Sequence, residues 1–308
     1  MRIAIIGAGA VGGYYGALLS RAGADVSFVA RGAHRDAIRT NGLQIVGSVQ
    51  GDFTVHIPAE DNPAAIGPVD VVMLTVKTYD NASAFPLIPA LLGPDTCVLT
   101  LQNGVDSAND LAGVIGESRV IAGPTYVATA IEAPGVIRQT GSHRRIVFGE
   151  VFSPLPTVSP RVRDLAALMA AADIHAEPVA DARIPLWEKF IYLAPFAAFT
   201  GAARKPIGAI WGDAEARATF MEAVGEVERV ARATGIDVAA DIHDRIATYT
   251  GGIPASTRSS LLIDLQAGKR IEVESLPGSV VRRGREVGVD TPIMRGLYAV
   301  LRPWSMGQ

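Results

Sequence analysis

The chain has 308 residues, of which 49% are hydrophobic and 19% charged, and its formal net charge is −3. That composition is globular and large enough for two domains; it excludes a disordered chain and gives no electrostatic footprint for nucleic acid or an anionic membrane surface. The single cysteine, Cys97, excludes an intrachain disulfide and lies in an apolar β-like run, which reads as an inert buried thiol in a cytoplasmic protein.

"RIAIIGAG" (2–9) reads as a buried strand entering a glycine turn, and so early a strand leaves no room for a signal peptide. "VGGYYGALLSRAG" (11–23) is a helix closed by Gly23, and "DVSFVAR" (25–31) is a second strand. Further strands are expected at "VDVVMLTVK" (69–77), at "TCVLTLQNG" (96–104) and at the start of 119–135. "GVIRQTG" and "RRIVFGE", within 135–150, read as an added hairpin or edge pair. β-branched runs alternating with helical stretches predict a Rossmann-type, doubly wound, mostly parallel sheet.

Beyond about residue 180 the pattern turns helical, with helices expected over 184–200, 213–235, 237–250, 255–267, 276–287 and 292–302. Gly235, Gly268 and Gly288 close helices, and Thr291-Pro292 reads as an N-cap followed by proline at the first helical position. The longest apolar run, 183–200, is too short and too interrupted by Pro195 and Gly201 to span a bilayer. The expected fold is therefore α/β, with an N-terminal Rossmann domain (1–180) and an all-helical C-terminal domain (181–308).

Gly7-Ala8-Gly9-Ala10-Val11-Gly12 is a G-x-G-x-x-G placed after a strand and opening a helix, the context in which that pattern binds a dinucleotide. Gly7 permits the tight turn, Gly9 admits a pyrophosphate to the backbone, and Gly12 lets the helix pack on the sheet. The helix N-terminus, at Ala10 and Val11, then offers N–H groups to phosphate. A tight turn without a ligand is the plain alternative. An NAD site places an acid at the end of the second strand, whereas here Ala30-Arg31-Gly32 offers a guanidinium with His34 and Arg35 behind it. Arg31 can pair bidentately with a 2′-phosphate, so NADP(H) is the expected cofactor; a solvated surface arginine is the other reading.

Four of the 28 basic residues are lysines, and one of them, Lys189, stands inside the nearly apolar "RIPLWEKFIYLAPFAAFT" (183–200). It either snorkels to the surface or serves as an ammonium in a partly dry site. Lys77 and "QNG" (102–104) lie at the C-terminal ends of strands, where open parallel sheets bind ligands, so Lys77 is a candidate cofactor contact. If Lys189 borders the same cleft, it can protonate a carbonyl oxygen as hydride reaches the carbon. The five histidines are too scattered for a metal site, and no G-x-S-x-G or Cys/His nucleophile is present.

Together "GAGAVGGYYG", "ARG", "VKTYD", "LQNGV", "W-x-K" at 187–189 and "SSLLIDLQAGKRIEVE" at 259–274 resemble the ketopantoate reductase (2-dehydropantoate 2-reductase) family over essentially the whole chain. The resemblance implies that Lys189 is the general acid for reduction of a 2-keto acid. It also implies that Asn103 sits between nicotinamide, substrate and lysine, that Ser260 binds substrate, and that Glu272 contacts the nicotinamide end of the cofactor and helps position the lysine. Read without the resemblance, Asn103-Gly104 is a turn pair, Ser260 a helix residue, and Glu272 an acid favouring a helix N-terminus.

The chain departs from the family pattern where asparagines line the substrate: Leu193 and Ala197 stand one and two turns after Lys189, and Thr257 stands three residues before Ser260. Pro277-Gly278 replaces a family Asn-Gly and should start or kink a helix. The expected activity is NADPH-dependent reduction of a 2-keto acid to a 2-hydroxy acid, with 2-dehydropantoate to pantoate in pantothenate biosynthesis leading. A paralogous reductase of a more apolar 2-keto acid or an opine-type imine is the alternative among enzymes, and a non-catalytic NADP(H)-binding redox sensor is the alternative outside them. The expected partner is the small-molecule substrate, with a homodimer possible and neither nucleic acid nor membrane involved.

Overall fold

Among the described residues, short β-branched runs joined by helices form one eleven-stranded mixed sheet, and the helical remainder builds its own core. The computed structural model describes residues 1–152 and 157–308. It divides into a first unit of residues 1–102 and 107–182 and a second of residues 103–106 and 183–308.

In the first unit the order is β1 (Arg2–Ile6), α1 (Ala10–Arg21), β2 (Asp25–Val29), α2 (Gly32–Asn41), β3 (Leu43–Val46), β4 (Phe53–Val55), β5 (Ala59–Glu60) and β6 (Val69–Leu74). There follow α3 (Asn81–Ala84), β7 (Leu92–Thr100), α4 (Ser107–Ile115), β8 (Val120–Ala122), β9 (Thr125–Ala133), β10 (Val136–Glu150), α5 (Pro160–Ala171) and β11 (His175–Val179). Strands β8-β7-β6-β1-β2-β5 are all parallel neighbours. Their apolar runs are buried, as parallel strands require: Ile3 and Ile5, Phe28, Val71 and Met73, Leu99 and Ile121 share one core. Because the strands are parallel, the segments after β1, β2 and β6 leave the same edge of the sheet. Chain order reverses on either side of β1, so the Gly7 loop lies at the switch point of the sheet.

The pair expected within 135–150 is instead one strand. β10 runs unbroken for 15 residues, and its hairpin partner is β9, antiparallel across the Ala133–Val136 turn. Gly141, which looks like a turn in the sequence, has φ +79° and falls where the ladder with β9 shifts register, so its turn propensity is absorbed as an irregularity in a continuing strand.

The second unit contains α6 (Arg183–Ala203), α7 (Ile207–Trp211), α8 (Ala214–Ala233), α9 (Ile242–Gly252), α10 (Ser260–Gln266), α11 (Pro277–Glu286) and α12 (Pro292–Leu301). α6 is apolar on almost every side because it is the central helix of this core, with Phe190, Ile191, Ala194, Phe196 and Ala198 all buried. Two helices begin later than their patterns suggest, α9 at Ile242 rather than 237 and α10 at Ser260 rather than 255. Pro277 occupies the first position of α11 and so starts that helix. Thr291 stands at the N-cap position of α12 but makes no side-chain cap. The carboxylate of buried Glu226, from α8, accepts from the N–H groups of Ile293 and Met294 at 2.9 Å each. A buried acid from a distant helix thus does the work that local sequence assigns to Thr291.

Candidate active site

The first group of site residues belongs to the first unit. After β1 the chain turns at Gly7, whose φ of +101° and whose absent Cβ, which would stand 2.8 Å from Val76 Cγ1, both demand glycine. A Cβ on Gly12 would fall 2.2 Å from the Gly7 carbonyl oxygen and 2.2 Å from Thr75 Oγ1, so α1 packs as closely as it does only because residue 12 has none. Gly9 differs from both. Its φ is −68°, and nothing lies within 4 Å of a Cβ built there. The fold itself has no need of glycine at this position, and the open space in front of it is a cradle that a side chain would fill. Gly9 is also the N-cap of α1, no side chain caps the helix, and its first turn contains no acid. The N–H groups of the first turn are therefore presented to an anion, an arrangement that fits the pyrophosphate of a dinucleotide.

Two residues that pattern reading did not single out hold this loop. Thr75, just beyond β6, donates to the carbonyls of Gly7 (2.8 Å) and Ile6 (3.1 Å). His34, on α2, accepts from the Gly135 N–H through Nδ1 at 3.0 Å, which leaves the proton on Nε2 for the Ala8 carbonyl at 2.8 Å. Burial lowers its pKa and keeps it in that neutral tautomer. In the sequence, Thr75 is marked only by its place just past β6, and His34 only by its place behind Arg31.

Arg31, at the N-cap position of α2, is 73% exposed and pairs with Asp80 at 3.5 Å. Asp80 belongs to the turn after β6, so the acid missing from the end of β2 is supplied from elsewhere in the chain, and it holds the arginine rather than replacing it. Arg35 is engaged by Asp36 and Asp61 instead. Lys77 lies three residues beyond β6 with intermediate exposure. Gln102 secures the same turn, donating to the Val76 carbonyl (2.9 Å) and to Asn81 Oδ1 (2.6 Å).

The second group belongs to the second unit, which includes the tetrapeptide Asn103–Asp106. The Lys189 ammonium donates to Asn103 Oδ1 at 3.0 Å. Burial drives its pKa down to about 8, against the raising effect of the Glu272 carboxylate. Glu272 is 4% exposed and sits in the turn leading into α11. Gly104 makes the juxtaposition possible: its φ is +94°, and a Cβ there would come within 2.7 Å of the Ser275 carbonyl oxygen. The Asn-Gly pair is thus both a turn and a close backbone approach. Lys189, Asn103 and Glu272 form a cationic proton donor with one acceptor to orient it and one charge to restrain it. Such a group can protonate an oxygen that becomes negative as its carbon is reduced.

Ser260 is not joined to this group. It is exposed at the first position of α10, while its neighbour Ser259 is buried, caps the helix through the Leu262 N–H (3.0 Å) and bonds the Thr200 hydroxyl (2.7 Å). Leu193 is half-buried one turn beyond Lys189, but Ala197 is enclosed in the core at 1% exposure, so only Leu193 of that pair remains partly accessible. Thr257 spends its hydroxyl on the Pro254 carbonyl at 2.6 Å. Cys97 is buried, and burial raises its thiol pKa, as suits an inert core residue. Among the described residues no group of His, Cys, Asp or Glu could hold a metal ion, and no helix is long and apolar enough to cross a membrane.

Residues 3–152 match the family described as ketopantoate reductase PanE/ApbA, and residues 181–304 match its C-terminal counterpart. A 2-dehydropantoate 2-reductase of Mesorhizobium japonicum is 32% identical over 98% of this chain and 97% of its own. Among solved structures, a 2-dehydropantoate 2-reductase of Geobacter metallireducens superposes with a TM-score of 0.91 at 32% identity, covering 98% of this chain and 99% of its own. A PanE/ApbA family ketopantoate reductase of Ralstonia eutropha gives 0.89 at 34% identity, covering 99% and 98%.

Proposed function

The chain belongs to the ketopantoate reductase family of oxidoreductases, and on that premise we propose that it reduces the ketone of a 2-keto acid to a 2-hydroxy acid with NADPH, in the cytoplasm and with pantoate formation as the leading reaction. The observation that carries this reading is the Lys189 ammonium, held by Asn103 and depressed by burial to a pKa of about 8. Nucleotide binding alone has no use for a buried proton donor, which weighs against a non-catalytic sensor. A nicotinamide cofactor, when bound, supplies the hydride. The uncapped N-terminus of α1 and the open face of Gly9 would hold its pyrophosphate, and Arg31 its 2′-phosphate, with Lys77 and Glu272 as further contacts. Lys189 protonates the carbonyl oxygen, Asn103 orients the ammonium before transfer, and Glu272 opposes the loss of its charge. Ser260 is retained as a substrate contact on the strength of the family motif alone.

The NADPH assignment makes its own prediction. Arg31 is largely exposed, so its pair with a 2′-phosphate is worth less than a buried charged hydrogen bond, and Arg31→Ala should raise the Michaelis constant for NADPH on the order of tenfold. The constant for NADH should stay nearly unchanged. Equal use of both cofactors by the unmutated enzyme would remove the basis for the assignment.

Substrate choice follows from the donors that are missing. Leu193 has none, and the Thr257 hydroxyl is already engaged. A terminal substrate hydroxyl left unpaired costs roughly 1–3 kcal/mol. In a steady-state series of 2-keto acids with NADPH, those with an apolar branch should therefore match or exceed ketopantoate in kcat/KM, and Leu193→Asn should move the preference back. If ketopantoate leads by more than about tenfold, roughly 1.4 kcal/mol, other groups satisfy its hydroxyl and this substrate reading fails. If no 2-keto acid drives NADPH oxidation, the proposed function itself fails.

A further inference from the structure

Asn103 reaches Lys189 only because the tetrapeptide 103–106 leaves the first unit and packs into the second. A turn of four residues whose glycine adopts φ +94° does not hold itself in place, so something must fix it. Arg283, on α11, closes on it from one side. Its Nε donates to Asp106 Oδ1 at 2.6 Å and its terminal nitrogen to the Val105 carbonyl at 3.2 Å. The same guanidinium lies over the indole of Trp187, 5.6 Å from the ring centroid, and Trp187 precedes Lys189 by two residues on α6. One cation therefore touches both the segment carrying the lysine's acceptor and the helix carrying the lysine. The side chains of Arg283 and Asp106 are only 17% and 23% exposed, so the pair is better sheltered than an ordinary surface ion pair. Arg282 makes a looser contact with Asp106, at 3.5 Å, and is engaged chiefly by Glu274 at 2.9 Å.

We propose that Arg283 is a positioning residue, whose grip on Asp106 and Val105 fixes the 103–106 turn and thereby holds Asn103 on the Lys189 ammonium. The proposal rests on the reading of Lys189 as proton donor, and the test separates the two. Five variants are compared with the parent enzyme: Arg283→Met, Arg283→Lys, Asp106→Asn, the double variant Arg283→Met/Asp106→Asn and, as a control, Lys189→Met. The readouts are kcat and KM with NADPH and the best 2-keto acid, together with the pH dependence of acetic anhydride labelling at Lys189. Mass spectrometry resolves that site readily in a chain with four lysines.

Arg283→Met should lower kcat on the order of tenfold through misplacement of the donor, with the KM for NADPH changed less than about twofold. Lys189 should also label at lower pH, because the ammonium has lost the Asn103 acceptor. Asp106→Asn should reproduce both effects, the double variant should be no worse than either single one, and Arg283→Lys should restore part of the loss. Mere removal of a nearby positive charge would move Lys189 labelling the other way, to higher pH, and that result overturns the proposal. So does an unchanged labelling profile. Should Arg283→Met fail to fold, Arg283→Gln, which also removes the positive charge, carries the same test. Retained turnover in Lys189→Met would instead overturn the proton-donor reading, while the labelling profiles still decide whether Arg283 governs the lysine.

Discussion

Lys189→Ala should fold, bind NADPH with nearly unchanged affinity, and lose roughly 10²–10⁴-fold in turnover, the usual contribution of a positioned general acid. The ammonium is held at an unfavourable place: burial lowers its pKa to about 8, and Glu272 only partly offsets that effect. A helix core does not need such a group; its removal relieves a desolvated charge but leaves the buried Glu272 carboxylate without this cation, so thermal stability should fall modestly rather than collapse. Folding and NADPH binding that survive while turnover collapses separate a catalytic lysine from one that merely reaches solvent along its stem. Turnover within a few-fold of the parent would establish the second explanation. NADPH binding followed by fluorescence and single-turnover oxidation together measure the two quantities.

The second large effect is expected at the glycine loop, where two substitutions of the same size should behave differently. Gly9→Ala places a methyl group where nothing lies within 4 Å and where φ is ordinary, so the melting temperature should hardly change. The methyl group does occupy the space through which a pyrophosphate approaches the N–H groups of α1. Charge-assisted hydrogen bonds contribute roughly 1.5–3 kcal/mol each, so loss of one or two should weaken NADPH binding by about one to four orders of magnitude. Gly12→Ala forces its methyl against the Gly7 carbonyl and Thr75 Oγ1, both at 2.2 Å, so it should lower stability as well, by about 1–3 kcal/mol for overpacking. Calorimetry and thermal unfolding check both variants. Normal NADPH affinity in Gly9→Ala would show that the cradle is not the dinucleotide site.

These two sites differ in how well the sequence discloses them. The glycine loop is legible because each of its steric demands is local: a strand end, a tight turn and a helix start lie within a dozen residues. The helical second half is legible for the same reason, through apolar periodicity and closing glycines, although α9 and α10 begin later than the periodicity suggests. What escapes is whatever depends on residues distant in the chain. The Glu226 cap on α12, the Asp80 partner of Arg31, and the hold of Thr75 and His34 on the glycine loop each join residues tens of positions apart. Nothing in local propensity encodes them. β10 escaped differently, because Gly141 carries a genuine turn signal that the long ladder overrides. Ser260 is exposed beside the buried Ser259, so its assignment to substrate rests on the motif and not on local burial. Leu193 and Ala197 look equivalent on a helical wheel, yet only the first keeps solvent contact.

The measurement that bears most directly on the central claim is kcat/KM for 2-keto acid reduction by NADPH, followed from neutral to alkaline pH. Desolvation disfavours the charged form of Lys189, so the ammonium predominates only below a pKa of about 8. A reaction that needs this ammonium as its acid should be insensitive to its titration at lower pH and should then fall by about tenfold per pH unit above that point. Lys189→Ala should keep a small residual rate without this limb. A profile that stays flat into the ordinary lysine range, or the same limb in Lys189→Ala, would contradict the assignment of Lys189 as the proton donor.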